Sequence, residues 1–423
     1  MSRCLETRVG KVVCVKRGTQ THRLHKSRER ILYDACRQGC LNRIKRILSD
    51  GRVDVNNRDA KDGMTPSMLA AFLGYKHVFD LLVSNGGDLS LVDNNGENIL
   101  QAACHGGSLD IIKYVLPLSI VDINSRDRYG RTPLMMAIFY GHRDVYDLLL
   151  SKGANASLFD NYYDKTVHIA CITGHVRMMN YVISQNTAAI NTRGHYGRTP
   201  VMIAAEYGHR EAFDLLVSIG ADMSLVDNNS DKNLHVACFG GHVEMVEYLL
   251  SQNTAAINTR GHFGRTPVMI AAEYGHREAF DLLVRKGADV FLVDDSNDTI
   301  LHVACFGGHV EMVQYLLSKI TVDINCKGNY GRTPVMVAAE KGHRKTFDLL
   351  VKQGADVSLV DDNGYNILHL ASLAGRVQMV TYLISHEYVD LNGKNKFGYT
   401  AAMIAANEKH KAVFDILVSK SNV

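Results

Sequence analysis

The stretch Gly197-Arg198-Thr199-Pro200-Val201-Met202-Ile203-Ala204-Ala205-Glu206-Tyr207-Gly208-His209, followed by Asp214-Leu215-Leu216 and Gly220-Ala221-Asp222, decides the fold. Thr199 suits a helix N-cap, and Pro200 suits the first helical position, where a missing N–H costs nothing. Val201, Ala204 and Ala205 make a short helix whose small residues let a neighbour approach closely. Gly208 ends that helix. A second helix over about 210–218 is expected to bury Phe213, Leu215, Leu216 and Val217, with Gly220 just past its end. One such unit cannot cover its own apolar face, so it must stack on copies of itself.

The copies are present. Thr-Pro recurs at Thr65, Thr132, Thr199, Thr266 and Thr333, always 67 residues apart, with Thr400-Ala401 as a sixth position that has lost its proline. A second series (Gly96, Tyr163, Ser230, Asn297, Gly364) steps by 67 midway between the first, so the unit is about 33 residues and is organised as an A-B doublet. Residues 185–217 and 252–284 differ only at Tyr196 and Phe263. Asn98, Thr299 and Asn366 can cap B helices. Lys165 and Lys232 cannot, so Asp164 and Asp231 are expected to substitute and B units to begin less regularly.

This pattern resembles the ankyrin repeat, over about 28–423, with roughly eleven units. The resemblance implies an all-α solenoid of stacked helix-turn-helix units with hairpin-like finger loops. The chain then divides into a basic arm over 1–27, expected to be solvated and disordered, an incomplete N-terminal capping repeat over 28–60, and the array proper over 61–423. The family's Thr-Pro-Leu-His signature is split here. A units keep Thr-Pro but carry Met202, Met269 and Met336 at the histidine position, whereas B units keep His168, His235, His302 and His369.

Composition limits function. The 423 residues are 46% hydrophobic and 22% charged, and 47 Lys+Arg against 44 Asp+Glu is too balanced for nucleic acid as the general partner. Only the segment 1–30, with nine Lys/Arg against Glu6 and Glu29, is suited to nucleic acid or a membrane surface. No apolar run reaches transmembrane length, and scattered single cysteines point to a reducing compartment, so cytoplasmic and, as a second option, nuclear localisation is expected. His168-x-x-Cys171, His235-x-x-Cys238 and His302-x-x-Cys305 have zinc-ligand spacing, but consecutive pairs lie two layers apart, about 20 Å at ~10 Å per layer. The expected role is structural, with His bonding a turn and Cys filling the core. The Gly-His pairs lack a nucleophile or carboxylate partner within the repeat. No enzyme activity, cofactor, metal or small-molecule substrate is expected.

Recognition is the better-supported function. The residue after each finger glycine alternates in sign: Glu97, Arg131, Asp164, Arg198, Asp231, Arg265, Asp298, Arg332. This reads either as a ladder of exposed ion pairs or as Arg forks offered to an acidic partner. Tyr196, Phe263 and Tyr330 precede finger glycines, and Tyr207, Phe239, Tyr274 and Phe306 end first helices. By the resemblance these positions line a concave, finger-bearing face. With Arg198, Arg265 and Arg332 they form the candidate protein-binding set of a scaffold or adaptor, or of the ankyrin segment or regulatory subunit of a larger signalling assembly such as a phosphatase, kinase or channel. Asn124, Asn258 and Asn325, each eight residues after a Leu, resemble asparaginyl-hydroxylation sites of the family.

Overall fold

The computed structural model describes residues 28–185, 190–252 and 257–421. The expected arm over 1–27 lies outside them. The described residues form 24 α-helices and no strand, arranged as consecutive antiparallel pairs. The chain separates into two compact units, one ending at Asp122 and one beginning at Ile123.

The first unit holds three helix pairs, beginning with Arg28–Arg37 and Leu41–Ser49. Leu32, Ile44, Phe79, Leu82 and Ile111 are fully or almost fully buried between them. Its A helix Pro66–Leu73 starts as expected, with Thr65 Oγ1 accepting the Met68 N–H at 3.2 Å. Its B helix Ile99–His105 starts with a reciprocal cap: Asn98 and Gln101 side chains each take the other's backbone N–H at 3.0 and 3.1 Å.

The second unit continues the pattern through nine helix pairs among the described residues. A helices begin at Pro133, Pro200, Pro267, Pro334 and Ala401, and B helices at Thr166, Asn233, Ile300 and Ile367. Both series therefore step by 67 without slippage, which corrects the expectation of irregular B starts. The reason is the histidine three residues in. The backbone N–H groups of Lys165, Lys232, Thr299 and Asn366 bond Nδ1 of His168, His235, His302 and His369 at 3.0–3.2 Å. An imidazole reaching back from the first turn does the work a capping side chain would do. Asp164 and Asp231 are employed elsewhere, as described below. Among A helices the expected Thr199 cap is only half right: the backbone is in the extended N-cap conformation, but the hydroxyl makes no cap hydrogen bond.

In the second helix Arg210–Ser218, Ala212, Phe213 and Leu216 are buried, Leu215 is half-buried and Val217 is 40% exposed. The inner face holds the i, i+3 and i+4 positions, and Val217 lies about 100° round from Leu216. Gly208 turns the chain between the two helices at φ +72°, and a Cβ there would lie 2.5 Å from the His242 ring of the next unit. The glycine is thus required both by the left-handed backbone and by stacking. His209, His276, His343 and His410 tie the layers from the other side, each Nε2 meeting the carbonyl of Ile172, Phe239, Phe306 or Leu373 at 3.0–3.1 Å.

Candidate protein-binding surface

The three central A fingers are built alike and unlike the rest. In the finger at 127–131, Asp127 closes its own turn, with Oδ1 accepting the N–H groups of Tyr129 and Arg131 at 2.9 and 2.8 Å. At 194, 261 and 328 that aspartate is replaced by glycine. The missing carboxylate comes from the preceding B finger: Asp164, Asp231 and Asp298 accept the N–H of His195, His262 and Asn329 at 2.8–2.9 Å. A Cβ on Gly194 would sit 2.2 Å from that Asp164 oxygen, so only glycine admits it. Burial lifts Asp164 to about 7, against the stabilising pull of the His195 N–H.

This braced turn puts the tip aromatic in the left-handed region. Tyr196, Phe263 and Tyr330 have φ of 56°, 54° and 53°, a conformation that bulky side chains adopt at a cost of order 1–3 kcal/mol. The same rings are 45%, 57% and 60% exposed. Tyr129 and Phe397, whose fingers start with Asp127 and Asn395, do not have positive φ.

The arginines go inward. Arg198 is 6% exposed, with one guanidinium nitrogen 2.6 Å from Glu206 and Nε 3.3 Å from Asp227. Arg265 repeats this with Glu273 and Asp294 at 2.6 and 3.3 Å, and Arg332 with Glu340 and Asp361 at 2.7 and 3.4 Å. Burial opposes the charge on Arg198, but Glu206 and Asp227 outweigh it and hold its pKa above the ordinary value. Burial likewise lifts the Glu273 carboxyl above the usual range despite Arg265. The expected ladder of exposed pairs with Asp164 and Asp231 is therefore corrected to a series of buried triads. The forks point into the array, flanked by rings: Arg198 lies 5.5 Å from the Tyr196 centroid and 5.1 Å from that of Phe239. Arg265 is 5.7 Å from Phe263 and 5.3 Å from Phe306, and Arg332 is 5.5 Å from Tyr330.

The structure thus joins most of the candidate set into two repeated clusters. Tyr196, Arg198, Phe239 and Tyr274 form one, closed by an edge-on Phe239–Tyr274 contact at 4.5 Å. Phe263, Arg265 and Phe306 form the next, with Lys341 Nζ 4.4 Å above Phe306. Tyr330 and Arg332 begin a third. Tyr207 instead stacks on His209 at 6.4 Å. Asn124, Asn258 and Asn325 stand apart, each Oδ1 accepting a backbone N–H of the next unit (Asn155, Asp289, Asp356) at 2.8–2.9 Å. The residues that sequence reasoning missed are the triad acids Glu206, Glu273 and Glu340 with Asp227, Asp294 and Asp361, which share the 67-residue step and were legible on that ground.

The histidines of the His-x-x-Cys pairs bond their own helix start on one side and the next finger on the other, and the cysteines are buried. His235 Nε2 meets the Thr259 carbonyl at 3.0 Å while Nδ1 takes the Lys232 N–H, and burial drives the Cys238 thiol well up.

A profile described as ankyrin repeats in three copies matches successive overlapping segments that together run from residue 68 to 423. The chain belongs to the ankyrin repeat family. Curated relatives include the human transient receptor potential cation channel subfamily A member 1, 27% identical over 327 residues, which is 67% of this chain and 29% of the channel. A putative ankyrin repeat protein of Acanthamoeba polyphaga mimivirus is 22% identical over 377 residues, covering 82% of this chain and 49% of its own length. An E3 ubiquitin-protein ligase of Arabidopsis thaliana, KEG, is 23% identical over 327 residues, covering 72% and 20%. This ankyrin array therefore spans between a fifth and a half of the relatives it matches. No helix of the described residues is long and apolar enough to cross a membrane.

Proposed function

We propose that this array is a non-catalytic binding module, a scaffold or adaptor of the cytoplasm, that captures protein partners on its finger tips and first-helix ends. The observation carrying this reading is the set of three exposed tip rings, Tyr196, Phe263 and Tyr330, each held at φ near 55°. A fold that tolerates strain at three corresponding positions without burying the rings is using them for contact with something else. Arg198 and Arg265 act as supports for the rings rather than as ligands, since their guanidinium groups are already paired and covered. The second reading, an ankyrin segment serving a larger signalling assembly, is favoured by the short share of the channel and ligase that this chain covers.

The test is capture from a cell extract followed by reconstitution with the purified partner. Tyr196→Asn, Phe263→Asn and Tyr330→Asn together keep a residue that tolerates the left-handed backbone. The triple variant should weaken the purified complex at least about tenfold, as the loss of hot-spot contacts does. A partner that binds the variant as tightly as the native array rules the reading out.

A further inference from the structure

One position departs from the copying. Residues 90, 157, 224 and 358 are all serine, and the fifth position in the same 67-residue step is Phe291. Ser90, Ser224 and Ser358 each close a turn, their hydroxyls donating to Asp88, Asp222 and Asp356 at 2.6 Å. Phe291 retains only the backbone half of that turn, its N–H on Asp289 Oδ1 at 2.9 Å. In exchange Phe291 is 70% exposed, the highest value for a large hydrophobic side chain among the described residues. A turn hydrogen bond has been given up for an aromatic that packs on little of its own chain.

Its chain neighbour Val290 helps to line a groove of about 260 Å³ between the second helices Arg277–Arg285 and Val310–Lys319. Its floor is Phe280, Val284, Val290, Tyr315 and Ile320, and Arg285 and Lys319 stand on its rim. Asp281 also lines it, but is taken up by Arg277 at 3.9 Å. Comparison with the doublet 67 residues earlier shows what is special to this place. Arg285, Lys286 and Lys319 stand where that doublet has Ser218, Ile219 and Gln252, and Gln314 where it has Glu247; in the other direction Asp295 replaces Asn228, Thr299 replaces Lys232 and Asp323 replaces Ala256, with Asp295 on the finger beside Arg260. The stretch just before, residues 252–284, is otherwise an almost perfect copy of 185–217. Divergence in one doublet therefore adds an exposed ring, Ile320 in place of Asn253 and the rim cations Arg285 and Lys319 to a floor that the earlier doublet largely shares. The volume lies below the ~300–1,000 Å³ usual for small-molecule sites, and suits a single anchoring side chain.

We propose that this groove, on the second-helix side and independent of the finger tips, docks an acidic protein segment that places one hydrophobic side chain against Phe291 and the floor. The basic rim complements the acid and the ring supplies the anchor contact.

The probe is a short fluorescein-labelled peptide with a central Leu-Phe pair between runs of glutamate, titrated against the full chain by anisotropy. Phe291→Ser restores the residue found in the other copies, and Arg285→Ser with Lys319→Gln restores the earlier doublet's rim, so all are compatible with the fold. Each change should weaken binding by ~tenfold or more, with unchanged circular dichroism, while the tip triple variant binds the peptide as the native chain does. That last measurement separates failure here from failure of the finger reading. Equal binding by Phe291→Ser overturns the proposal, as does equal binding of a peptide with an alanine centre, which would show charge attraction alone. Stronger binding of single-stranded RNA or of anionic vesicles would assign the patch to another class of partner. No peptide binding by the native chain at ~1 mM also overturns it.

Discussion

Replacing Arg265 by alanine isolates what the buried triads are worth. Glu273 and Asp294, at 2.6 and 3.3 Å, have side chains only 12% and 1% exposed and would be left with charges facing no cation. Removing one partner of a buried pair costs ~3–5 kcal/mol, against ~0–1 for an exposed one. Asp294 keeps the N–H groups of Ser296 and Asp298 at 2.9 and 3.0 Å, which places the expected cost at the lower end, ~3 kcal/mol. Most of it falls on Glu273, whose carboxyl burial already lifts. Two consequences identify the mechanism. In the variant the folded pKa of Glu273 rises further above its unfolded value. The folded state then binds the extra proton first, and the deficit shrinks as pH falls from the folded pKa towards ~4. Changing Glu273 to leucine alongside Arg265→Leu should recover most of the loss, since a well-packed apolar pair matches a buried ion pair. The assay is hydrogen exchange of the amides between 261 and 298, with urea denaturation as the global measure. A loss below ~1 kcal/mol that does not change between pH 7 and 4.5 would refute the burial argument.

Further expectations follow from the same geometry. Phe263→Asn relieves left-handed strain and should raise the denaturation midpoint slightly, by the equivalent of ~0.5–1 kcal/mol; a lower midpoint would show that the ring packs for stability. His168 is held near pKa 4 by burial, below its unfolded value of ~6.5, so its contribution is complete above that value and is lost as pH falls towards 4. His168→Gln, copying Gln101 of the first unit, should flatten the acid limb of a pH–stability curve, and an unchanged curve would count against it. Asn124, Asn258 and Asn325 should each gain one oxygen on treatment with an asparaginyl hydroxylase, read by peptide mass spectrometry, with less gain at Asn191, which Ile183 precedes in place of a Leu; no mass change would speak against it.

The register of helices was open to reading because Thr-Pro and glycine carry backbone constraints that act locally, whatever surrounds them. Partner choice within the fingers was not. The sign alternation at 164, 198, 231 and 265 is real, yet the charges do not meet. A glycine at 194 redirects the aspartate to a backbone N–H and turns the arginine towards Glu206. That outcome depends on the path of two adjacent loops, which no single spacing encodes. His168 as a cap was hidden for a similar reason: its reach depends on the rotamer permitted by the next finger, whose Thr192 carbonyl fixes its other nitrogen at 3.0 Å. Val217 was misplaced simply by counting an apolar run instead of following the wheel.

The cross-finger carboxylate also sets a rule of parity for how such a chain can lengthen. The three B fingers of Asp164, Asp231 and Asp298 each hand an aspartate forward to a glycine finger, and each such A finger sends an arginine forward to the next B aspartate. Excising a single B unit from among these would bring two A fingers side by side. An arginine would then lose Asp227 or its equivalent, and at the same junction a glycine turn would lose its closing oxygen. Removal or insertion of two units together leaves every donor facing an acceptor. The array is written in words of two syllables, and growth by whole doublets, as in the near-identical blocks 185–217 and 252–284, is the change its fingers accommodate.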